Sequence, residues 1–600
     1  MQPSTPQQWA SVLQFLLFVQ TAQAQYDPVV NFCKRLDHQS TVVNGKLYID
    51  GGRQVYTNYA PNGSDIGPHT IGPNEYLLSI DLTRGWDANE GLPITKTPKN
   101  LTTPYLTRGA LFPSSTNPDG FYLFGGTVAS DNTSFVNYQS PQTEGKPIWG
   151  YAGSTSGIWN SIDGSFPRPC SGANAVLNDK SKAFWFNGEQ DNGSSTTAQS
   201  LADTTKFLDG MLVMDLKDAS VKSVSTKAVS SNARVRAGMV HVPLEKTAGV
   251  LVLLAGGEKP SSDNAHDWKG TLVNLNSVDV FDAGSISDSN PDGQWYSQPT
   301  TGTTPSPRVD PCVVAMAAPD ISSYNIYMYG GRDGLNAYYD ELWILSLPSF
   351  QWVRAYSGSS PRYSMTCHAI GRQMIVVGGS NTSHVTDNCD AATQGVKVLD
   401  LTALTWSTVF DPRAAAYQVP SQLVKLIGGT GTGGANINAP AAGFAQKGLQ
   451  ALFYPPSSNS TMTPAAGSGA TKDDKTKTPV GVIVGIVIAV LVILGLIGAL
   501  VFLCMRRRRQ QAFCLKDDQK VGGSESHLMS GSELHEIPGS TPPAYAKFAE
   551  VEVLELPGSD GVKNELPGSE GFKNELAGSS PVLVELEAEK VSRPTEHSRT

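Results

Sequence analysis

Histidine and carboxylate side chains are the groups in this chain whose chemistry would support catalysis or metal binding. The histidines that precede residue 480 are His38, His69, His241, His266, His368 and His384. No two of them have the spacing of a metal-ligand pair, and no Ser/His/Asp order indicates an activated nucleophile. The sequence therefore predicts no catalytic residues, no metal site and no cofactor, and hence a protein that is not an enzyme.

One segment is apolar enough to cross a membrane. Residues 480–504 consist mainly of Val, Ile, Leu, Gly and Ala without a charge, and four arginines follow at positions 506–509. About 20 apolar residues span the hydrocarbon core as a helix, and Lys and Arg concentrate on the cytoplasmic side. We expect a transmembrane helix at 480–504, with the N-terminal part outside the cytosol.

The N-terminus supports that orientation. Residues 9–19 form a short apolar stretch, and Ala22-Gln23-Ala24 is an A-x-A site typical of signal peptidase. We expect a signal peptide at 1–24 and a single-pass protein of the plasma membrane or a secretory-pathway membrane. Its N-terminal domain would be extracellular or lumenal and its tail cytoplasmic. The N-x-[ST] glycosylation sequons all precede the apolar segment; they are Asn62, Asn100, Asn132, Asn192, Asn381 and Asn459.

The N-terminal part is repetitive. Short apolar stretches end repeatedly in a glycine pair; the pairs are Gly51-Gly52, Gly125-Gly126, the degenerate Asn187-Gly188, Gly256-Gly257, Gly330-Gly331 and Gly378-Gly379. A second apolar stretch and a tryptophan follow most pairs, and Pro-Arg precedes several of them. Each copy provides about four short strands, and such sheets bury both faces only when they are arranged radially.

This order resembles the kelch repeat. The resemblance implies an all-β fold: a six-bladed kelch β-propeller, of the galactose-oxidase-like propeller superfamily, with one transmembrane helix and a disordered tail. We place the propeller at 25–410, a Gly/Ser/Thr/Pro-rich stalk at 411–479, the membrane helix at 480–504 and the tail at 505–600. A seventh blade is an alternative, because Ile427-Gly428-Gly429 looks like another strand end.

The whole layout resembles the single-pass kelch-repeat membrane proteins of filamentous fungi. That resemblance implies a non-enzymatic cell-surface protein that binds a protein or glycan through propeller rim loops. A copper-dependent carbohydrate oxidase is the first alternative, because the kelch fold also resembles the catalytic domain of galactose oxidase. That chemistry needs copper held by two tyrosines and two histidines, and nothing in the sequence marks such a set. The chain is 16% charged with a net charge of −9, so nucleic acid is not an expected partner.

Five cysteines precede the apolar segment, and an odd number leaves at least one unpaired. In the closed propeller that the resemblance implies, Cys33 and Cys389 fall on one rim of neighbouring blades. We therefore expect a Cys33–Cys389 disulfide, with Cys367–Cys389 as the rival pairing. We expect Cys170, Cys312 and Cys367 otherwise to be buried thiols.

The tail from residue 505 reads as disordered because it is polar, rich in Pro and Gly and nearly free of aromatics. Cys504 and Cys514 flank the arginines and are candidates for S-palmitoylation. Pro542-Pro543-Ala544-Tyr545 resembles the Pro-Pro-x-Tyr ligand of WW domains. The second alternative is therefore an endocytic sorting receptor or ligase adaptor whose tail, through Pro542, Pro543 and Tyr545, recruits a cytosolic WW-domain protein.

Overall fold

The computed structural model describes residues 26–455, apart from 60–63, 101, 130, 136–145, 154–157, 195–204, 261–263, 266–269 and 335. The expected signal peptide, membrane helix, tail and later part of the stalk lie outside the described residues. Among the helices that are described, none has the length and hydropathy needed to cross a bilayer.

The described residues form six four-stranded antiparallel sheets whose strand order follows the chain. The strands of the first three blades are Gln39–Val43, Lys46–Asp50, Tyr76–Asp81 and Ile94–Pro98; Ala110–Pro113, Phe121–Phe124, Ile148–Tyr151 and Trp159–Ile162; and Ala173–Val176, Lys182–Phe186, Met211–Asp215 and Val221–Val224. Those of the last three blades are Gly238–Val242, Val250–Leu254, Ser277–Asp282 and Gln294–Pro299; Cys312–Ala317, Tyr324–Tyr329, Glu341–Leu347 and Gln351–Ser357; and Tyr363–Ile370, Gln373–Ser380, Val396–Asp400 and Thr405–Ser407. Thr301–Gly302 adds a short parallel strand to the outer edge of blade 5.

The core lies between the blades rather than within them. Among the described residues, the six largest apolar clusters each contain residues from two neighbouring blades, including blades 6 and 1. Trp352, which is 1% exposed, belongs to the cluster between blades 4 and 5. Because a single sheet has two apolar faces to bury, the radial arrangement buries both. The prediction of an all-β propeller is confirmed, and the described residues form six blades.

A pair of residues with positive φ ends the second strand of every blade. In four blades these are glycines, as at Gly330 (φ 71°) and Gly331 (φ 95°). A Cβ on Gly330 would lie 2.4 Å from the carbonyl oxygen of Arg362 in the next blade, so this close approach requires glycine. In blade 4 the pair is Ala255-Gly256, with φ of 59° and 99°. The predicted pair Gly256-Gly257 is therefore wrong by one residue, because Gly257 already begins the strand Gly257–Pro260.

Six residues, one per blade, form a closed ring of backbone hydrogen bonds around the propeller axis. Five of them stand two residues before the first strand of their blade and the sixth is the second residue of that strand, and all have φ between 55° and 58°; they are Asp37, Arg108, Ser171, Arg236, Asp310 and Ser364. The N–H of each donates to the carbonyl oxygen of the corresponding residue in the preceding blade, and Asp37 donates to Ser364 of blade 6. The N···O distances run from 2.7 to 3.4 Å. Since every link of the ring is made, the ring admits six blades and no seventh.

Short strands form a second layer at the end of the propeller that carries this ring. They belong to segments that enter the first strands or follow the second strands; they are Phe32–Leu36, Arg53–Tyr56, Thr70–Pro73, Leu106–Thr107, Thr127–Val128, Glu189–Gln190, Thr205–Phe207, Asn232–Val235, Gly257–Pro260, Asn264–Ala265 and Thr271–Leu272. Elsewhere, Trp86–Asp87 of blade 1 pairs with Val409–Phe410 after blade 6. Two 3₁₀ turns, Ala88–Glu90 and Ala391–Thr393, complete the propeller.

Residues 411–455 pack against the propeller. Two helices, Ser421–Ile427 and Lys447–Phe453, lie in this segment. Leu423 and Ile427 join the cluster between blades 5 and 6, and Leu449 joins the one between blades 4 and 5. The expectation that a stalk starts at 411 is therefore wrong for 411–455. Ile427 ends a helix rather than a strand, so this segment is not a seventh blade.

Candidate functional site

The main concave feature of the described residues is an axial cavity at the end of the propeller that carries the ring. Its volume is about 940 Å³, and residues from all six blades line it. Ring residues Asp37, Arg108, Arg236 and Ser364 contribute to it, and the rest of the lining comes from the second-layer strands and their loops. Ligand pockets in proteins measure about 300–1,000 Å³, so this cavity can hold a substantial ligand.

Asp37 and Arg53 form one charged group in the lining. Arg53 Nη2 lies 2.7 Å from Asp37 Oδ2, and Arg53 Nη1 donates to Asp131 Oδ2 at 2.9 Å. Burial would raise the pKa of Asp37, but the positive charges of Arg53, Arg108 and Arg236 outweigh it and hold that pKa well below its usual value. Asp37 is thus a carboxylate at any physiological pH and holds Arg53 in place.

Asp310 holds two arginines in the same way. Its Oδ2 accepts from Arg236 Nη1 at 3.2 Å and from Arg332 Nε at 3.1 Å. The guanidinium of Arg332 also stacks over the ring of Tyr363, with its Cζ 4.5 Å from the ring centroid. A guanidinium held by a carboxylate and an aromatic face has little freedom to reorient, so the wall presents arginine planes in fixed positions.

Arg108, the ring residue of blade 2, pairs with acidic side chains of blade 3. Its Nη1 donates to Glu189 Oε1 at 3.2 Å, and its Nη2 lies 3.7 Å from Asp191 Oδ2. Glu189 is only 1% exposed in its side chain, so this ion pair is largely shielded from solvent. Of the four cavity arginines, Arg53, Arg108 and Arg332 have side chains that are 26%, 20% and 24% exposed, whereas Arg236 is 10% exposed.

Apolar side chains alternate with these charged groups. The apolar lining residues are Val128, Phe207, Val235, Leu272, Val309 and Val385. Lys259 lies over the ring of Phe207, with its Nζ 5.5 Å from the centroid. The cavity therefore offers both apolar contact area and oriented hydrogen-bond donors, which suits recognition by many weak contacts.

None of the histidines that the structure describes lines this cavity. His38 directly precedes the first strand of blade 1, and His368 lies in the first strand of blade 6. His38 Nε2 is 2.9 Å from Thr366 Oγ1, and His368 Nε2 is 2.7 Å from Ser40 Oγ. Burial lowers the pKa of His38 to about 3 and that of His368 to about 4, so both are neutral at pH 7. His241 Nε2 lies 2.9 Å from the carbonyl oxygen of Ala248.

The remaining outer histidines are equally separate. His384 is exposed, and His266 lies outside the described residues. His69 lies beside two cysteines, and together with them it makes the one group of potential metal ligands among the described residues.

The structure joins Cys33 to Cys389 in a disulfide across blades 1 and 6, with Cα atoms 4.4 Å apart. It also joins Cys312 to Cys367, whose Cα atoms are 5.9 Å apart. The expectation of free thiols at Cys312 and Cys367 is therefore wrong, because the first strands of blades 5 and 6 run side by side at this level. Cys170 is a buried thiol, and burial raises its pKa well above the usual value.

The predicted glycosylation positions divide into two groups. Asn100, Asn132, Asn192 and Asn381 are described and at least partly exposed, and Asn192 lines the axial cavity. Asn62 and Asn459 lie outside the described residues, as do the WW-ligand residues Pro542, Pro543 and Tyr545 and the palmitoylation candidates Cys504 and Cys514.

Sequence reasoning missed the ring and the cavity arginines. A signal was present: Arg35, Arg234, Arg308 and Arg362 each stand two residues before a ring residue. These arginines are structural. For example, Arg308 is buried and donates to Gly330 O at 3.1 Å and to Glu341 Oε2 at 2.8 Å. Aligning the copies on these arginines would have marked the ring positions.

Comparison with known proteins agrees with this architecture. Residues 248–421 match the family model described as the KLHDC2/KLHL20/DRC7 Kelch-repeats domain. A Kelch repeat-containing protein of Arthroderma benhamiae is 27% identical over 510 residues, which cover 73% of this chain and 69% of that protein. Host cell factor 2 of Homo sapiens is 30% identical over 125 residues, covering 19% of this chain and 16% of that protein. Together with the glycine pairs and the six blades, these matches show a kelch-repeat domain at residues 248–421 and a similarity to kelch-repeat proteins that extends over a larger part of the chain.

Proposed function

We propose that this protein is a non-enzymatic binding protein whose axial cavity receives a segment of another protein. The observation that carries the proposal is the cavity of about 940 Å³ at the ring end, lined by residues of all six blades. Binding sites are usually presented by loops on a rigid scaffold, and here the loops stand on a closed ring.

The charges of the lining favour a mixed ligand over a polyanion. Five basic residues line the cavity, namely Arg53, Arg108, Arg236, Lys259 and Arg332, and five acidic residues do so, namely Asp37, Asp131, Asp191, Glu258 and Asp333. The described lining therefore carries no net charge. A nucleic acid would need an excess of positive charge, whereas a protein segment with acidic, polar and apolar side chains matches this mosaic.

The side chain of Arg332 is preorganised for binding such a ligand. Arg332 is held by Asp310 and stacked on Tyr363, so little side-chain entropy is lost when a ligand carboxylate or carbonyl approaches it. Arginine at the centre of an interface often dominates the binding energy. We expect Arg332 to contribute about 1.5–3 kcal/mol to binding, which is the usual range for a hydrogen bond to a charged group.

The setting that we propose is a cell surface. The apolar segment 480–504, the A-x-A site at 22–24 and the one-sided sequons support an extracellular or lumenal propeller with a cytoplasmic tail. In that setting the tail motif Pro542-Pro543-Ala544-Tyr545 would contact a WW-domain protein. Equal recovery of wild type and Tyr545→Ala in a WW-domain pulldown would contradict this part.

The binding proposal is tested with the full chain on arrays of peptides, surface proteins and glycans. We expect peptide or protein ligands to be retained by wild type and weakened at least tenfold by Arg332→Ala. The matched control is Arg84→Ala, because Arg84 is 86% exposed on a blade 1 turn outside the cavity. Ligands that bind wild type and Arg332→Ala equally would refute the cavity as the site, and retention of glycans alone would refute a protein ligand.

The absence of enzyme activity is tested separately. We expect the purified chain to contain no stoichiometric copper and to release no hydrogen peroxide from sugars. Copper at one equivalent together with peroxide production would favour the oxidase alternative and refute this proposal.

A further inference from the structure

Three potential metal ligands meet where the last blade closes on the first. Cys33 Sγ lies 3.8 Å from His69 Nδ1, and Cys389 Sγ lies 3.6 Å from both ring nitrogens of His69. All of these ligand atoms lie within 4.8 Å of one another. The axial cavity is a separate feature, and neither cysteine nor His69 lines it.

We propose that Cys33, Cys389 and His69 form a binding site for a thiophilic divalent cation such as Zn²⁺ when the Cys33–Cys389 disulfide is reduced. A tetrahedral zinc ion has bonds of about 2.3 Å to sulfur and about 2.0–2.1 Å to nitrogen, which place these two ligand atoms roughly 3.5 Å apart. The observed sulfur–nitrogen distances of 3.6 and 3.8 Å match that geometry.

The surroundings of His69 provide the orientation that a metal ligand needs. Its Nε2 lies 2.7 Å from Asp65 Oδ2, so the carboxylate holds a proton on Nε2, and Nδ1 lies 3.8 Å from Cys33 Sγ and 3.6 Å from Cys389 Sγ. Such carboxylate–histidine pairs fix the tautomer of metal-bound histidines and raise their basicity. Nδ1 now lies 2.8 Å from Thr386 O. Metal binding would break that contact and leave the fourth position to this carbonyl oxygen or to water.

The burial of the group also suits a metal. Cys33 is fully buried and packs with Val55 and Ile71, and Cys389 lies at the edge of the same apolar cluster. The side chain of His69 is 20% exposed, so an ion can reach the site from solvent. An apolar shell around thiolate ligands strengthens their attraction to a cation by lowering the local dielectric constant.

The chemistry is a two-step exchange. A dithiol reductant supplies two electrons and two protons, the S–S bond breaks, and Cys33 and Cys389 become thiols while the reductant becomes a disulfide. Zn²⁺ then binds the two thiolates and Nδ1 of His69, and the two thiol protons and the proton that Nδ1 donates to Thr386 O pass to solvent. Both states connect blade 1 to blade 6, so the ring remains closed in oxidising and reducing surroundings.

The test uses the full chain, reduced and kept free of oxygen, with Co²⁺ as the spectroscopic probe and Zn²⁺ as the competitor. We expect one Co²⁺ per chain with sulfur-to-cobalt charge-transfer absorption, displaced by Zn²⁺ and absent from the oxidised protein. His69→Ala should weaken binding at least tenfold, and Asp65→Asn should weaken it by a smaller factor. His384→Ala is the matched control, because His384 is an exposed histidine of the loop that contains Cys389.

A second measurement on the wild type needs no variant to fold. Mass spectrometry after alkylation of the reduced protein should show that Zn²⁺ slows labelling of Cys33 and Cys389 but not of Cys312 and Cys367. Equal labelling at all four positions, with and without Zn²⁺, would overturn the proposal. So would equal Co²⁺ affinity in wild type and a folded His69→Ala.

Discussion

The two disulfides of the propeller should differ in how much they stabilise it. Cys33–Cys389 closes a loop with a sequence separation of 356 residues, and Cys312–Cys367 closes one of 55. In the chain-entropy model the unfolded state loses about 5.8 kcal/mol of conformational freedom from the first bond and about 4.2 kcal/mol from the second at 25 °C. The longer bond should therefore contribute about 1.6 kcal/mol more to the free energy of unfolding.

The structure gives a further reason for that order. In each blade all four strands come from consecutive chain, so no blade is shared between the two ends of the propeller. Blade 6 is joined to blade 1 by the Cys33–Cys389 bond and otherwise by noncovalent contacts only: strand pairing, the ring hydrogen bond, side-chain hydrogen bonds and apolar packing. Blades 5 and 6, by contrast, are already joined by continuous chain.

Urea unfolding of two double variants measures the difference. Cys33→Ser/Cys389→Ser should lose more stability than Cys312→Ser/Cys367→Ser, by about 1–2 kcal/mol, with both measured in a chelator to exclude metal. The two variants serve as controls for each other, because each replaces two cysteines by serine in a strand or loop of blade 1, 5 or 6. An equal loss, or a larger loss from the Cys312–Cys367 pair, would refute the argument from loop closure.

Three further predictions concern the interior of the propeller. The first concerns His38 and His368, whose pKa values are about 3 and about 4 in the folded state, against about 6.5 in the unfolded state. As pH falls below 6.5 the unfolded chain binds protons first, so the free energy of unfolding should drop by up to about 1.4 kcal/mol per pH unit for each residue. Urea unfolding at pH 7 and pH 5 checks this, and a stability that does not change with pH would contradict it. The second compares two glycines at positive φ: Gly330→Ala places a Cβ 2.4 Å from a carbonyl oxygen, whereas the Cβ of Gly334→Ala meets nothing within 4 Å. Gly330→Ala should therefore lower the free energy of unfolding by at least about 1 kcal/mol more than Gly334→Ala, as measured by chemical denaturation. Equal losses would show that the blades do not pack this tightly. The third removes Lys99, whose ion-pair partner is the fully buried carboxylate of Asp50. Lys99→Met would leave that charge unpaired, so we expect the free energy of unfolding to fall by about 3–5 kcal/mol in thermal or urea unfolding. An unchanged stability would mean that the pair is not buried in solution.

The propeller was predictable because its signal is repeated. A glycine pair or a degenerate copy of one recurs in six places, most of them followed by another strand and a tryptophan, and this repetition turns a weak local pattern into a fold. The error at Gly256-Gly257 shows the limit of this approach. Alanine can occupy the first position with φ of 59° at Ala255, so the letters of the sequence alone misplace the pair.

The C-terminal helices were not predictable from composition. Residues 411–455 are rich in Gly, Ala and Pro, and each helix has only seven residues, too few for a stable isolated helix. They form because Leu423, Ile427 and Leu449 find apolar surface on the propeller. Tertiary packing, which the local sequence does not encode, decides their structure.

The candidate site was predictable only in outline. The sequence predicted binding through rim loops without assigning a rim, and the ring at Asp37, Arg108 and Asp310 is held by backbone hydrogen bonds, which fix no residue type at those positions. The Arg53–Asp131 ion pair joins blades 1 and 2 across 78 residues of sequence, and even the Arg332–Asp310 pair within blade 5 is separated by 22 residues. A single sequence carries no direct trace of such contacts.

The helices Ser421–Ile427 and Lys447–Phe453 should make local stability differ between the two halves of the propeller. They brace blades 4 to 6, and the described residues include no comparable brace on blades 1 to 3. Amide hydrogens in the braced half should exchange with solvent water more slowly, since local opening there must also detach a helix. Local unfolding of the propeller would then begin in blades 1 to 3, which no helix braces among the described residues.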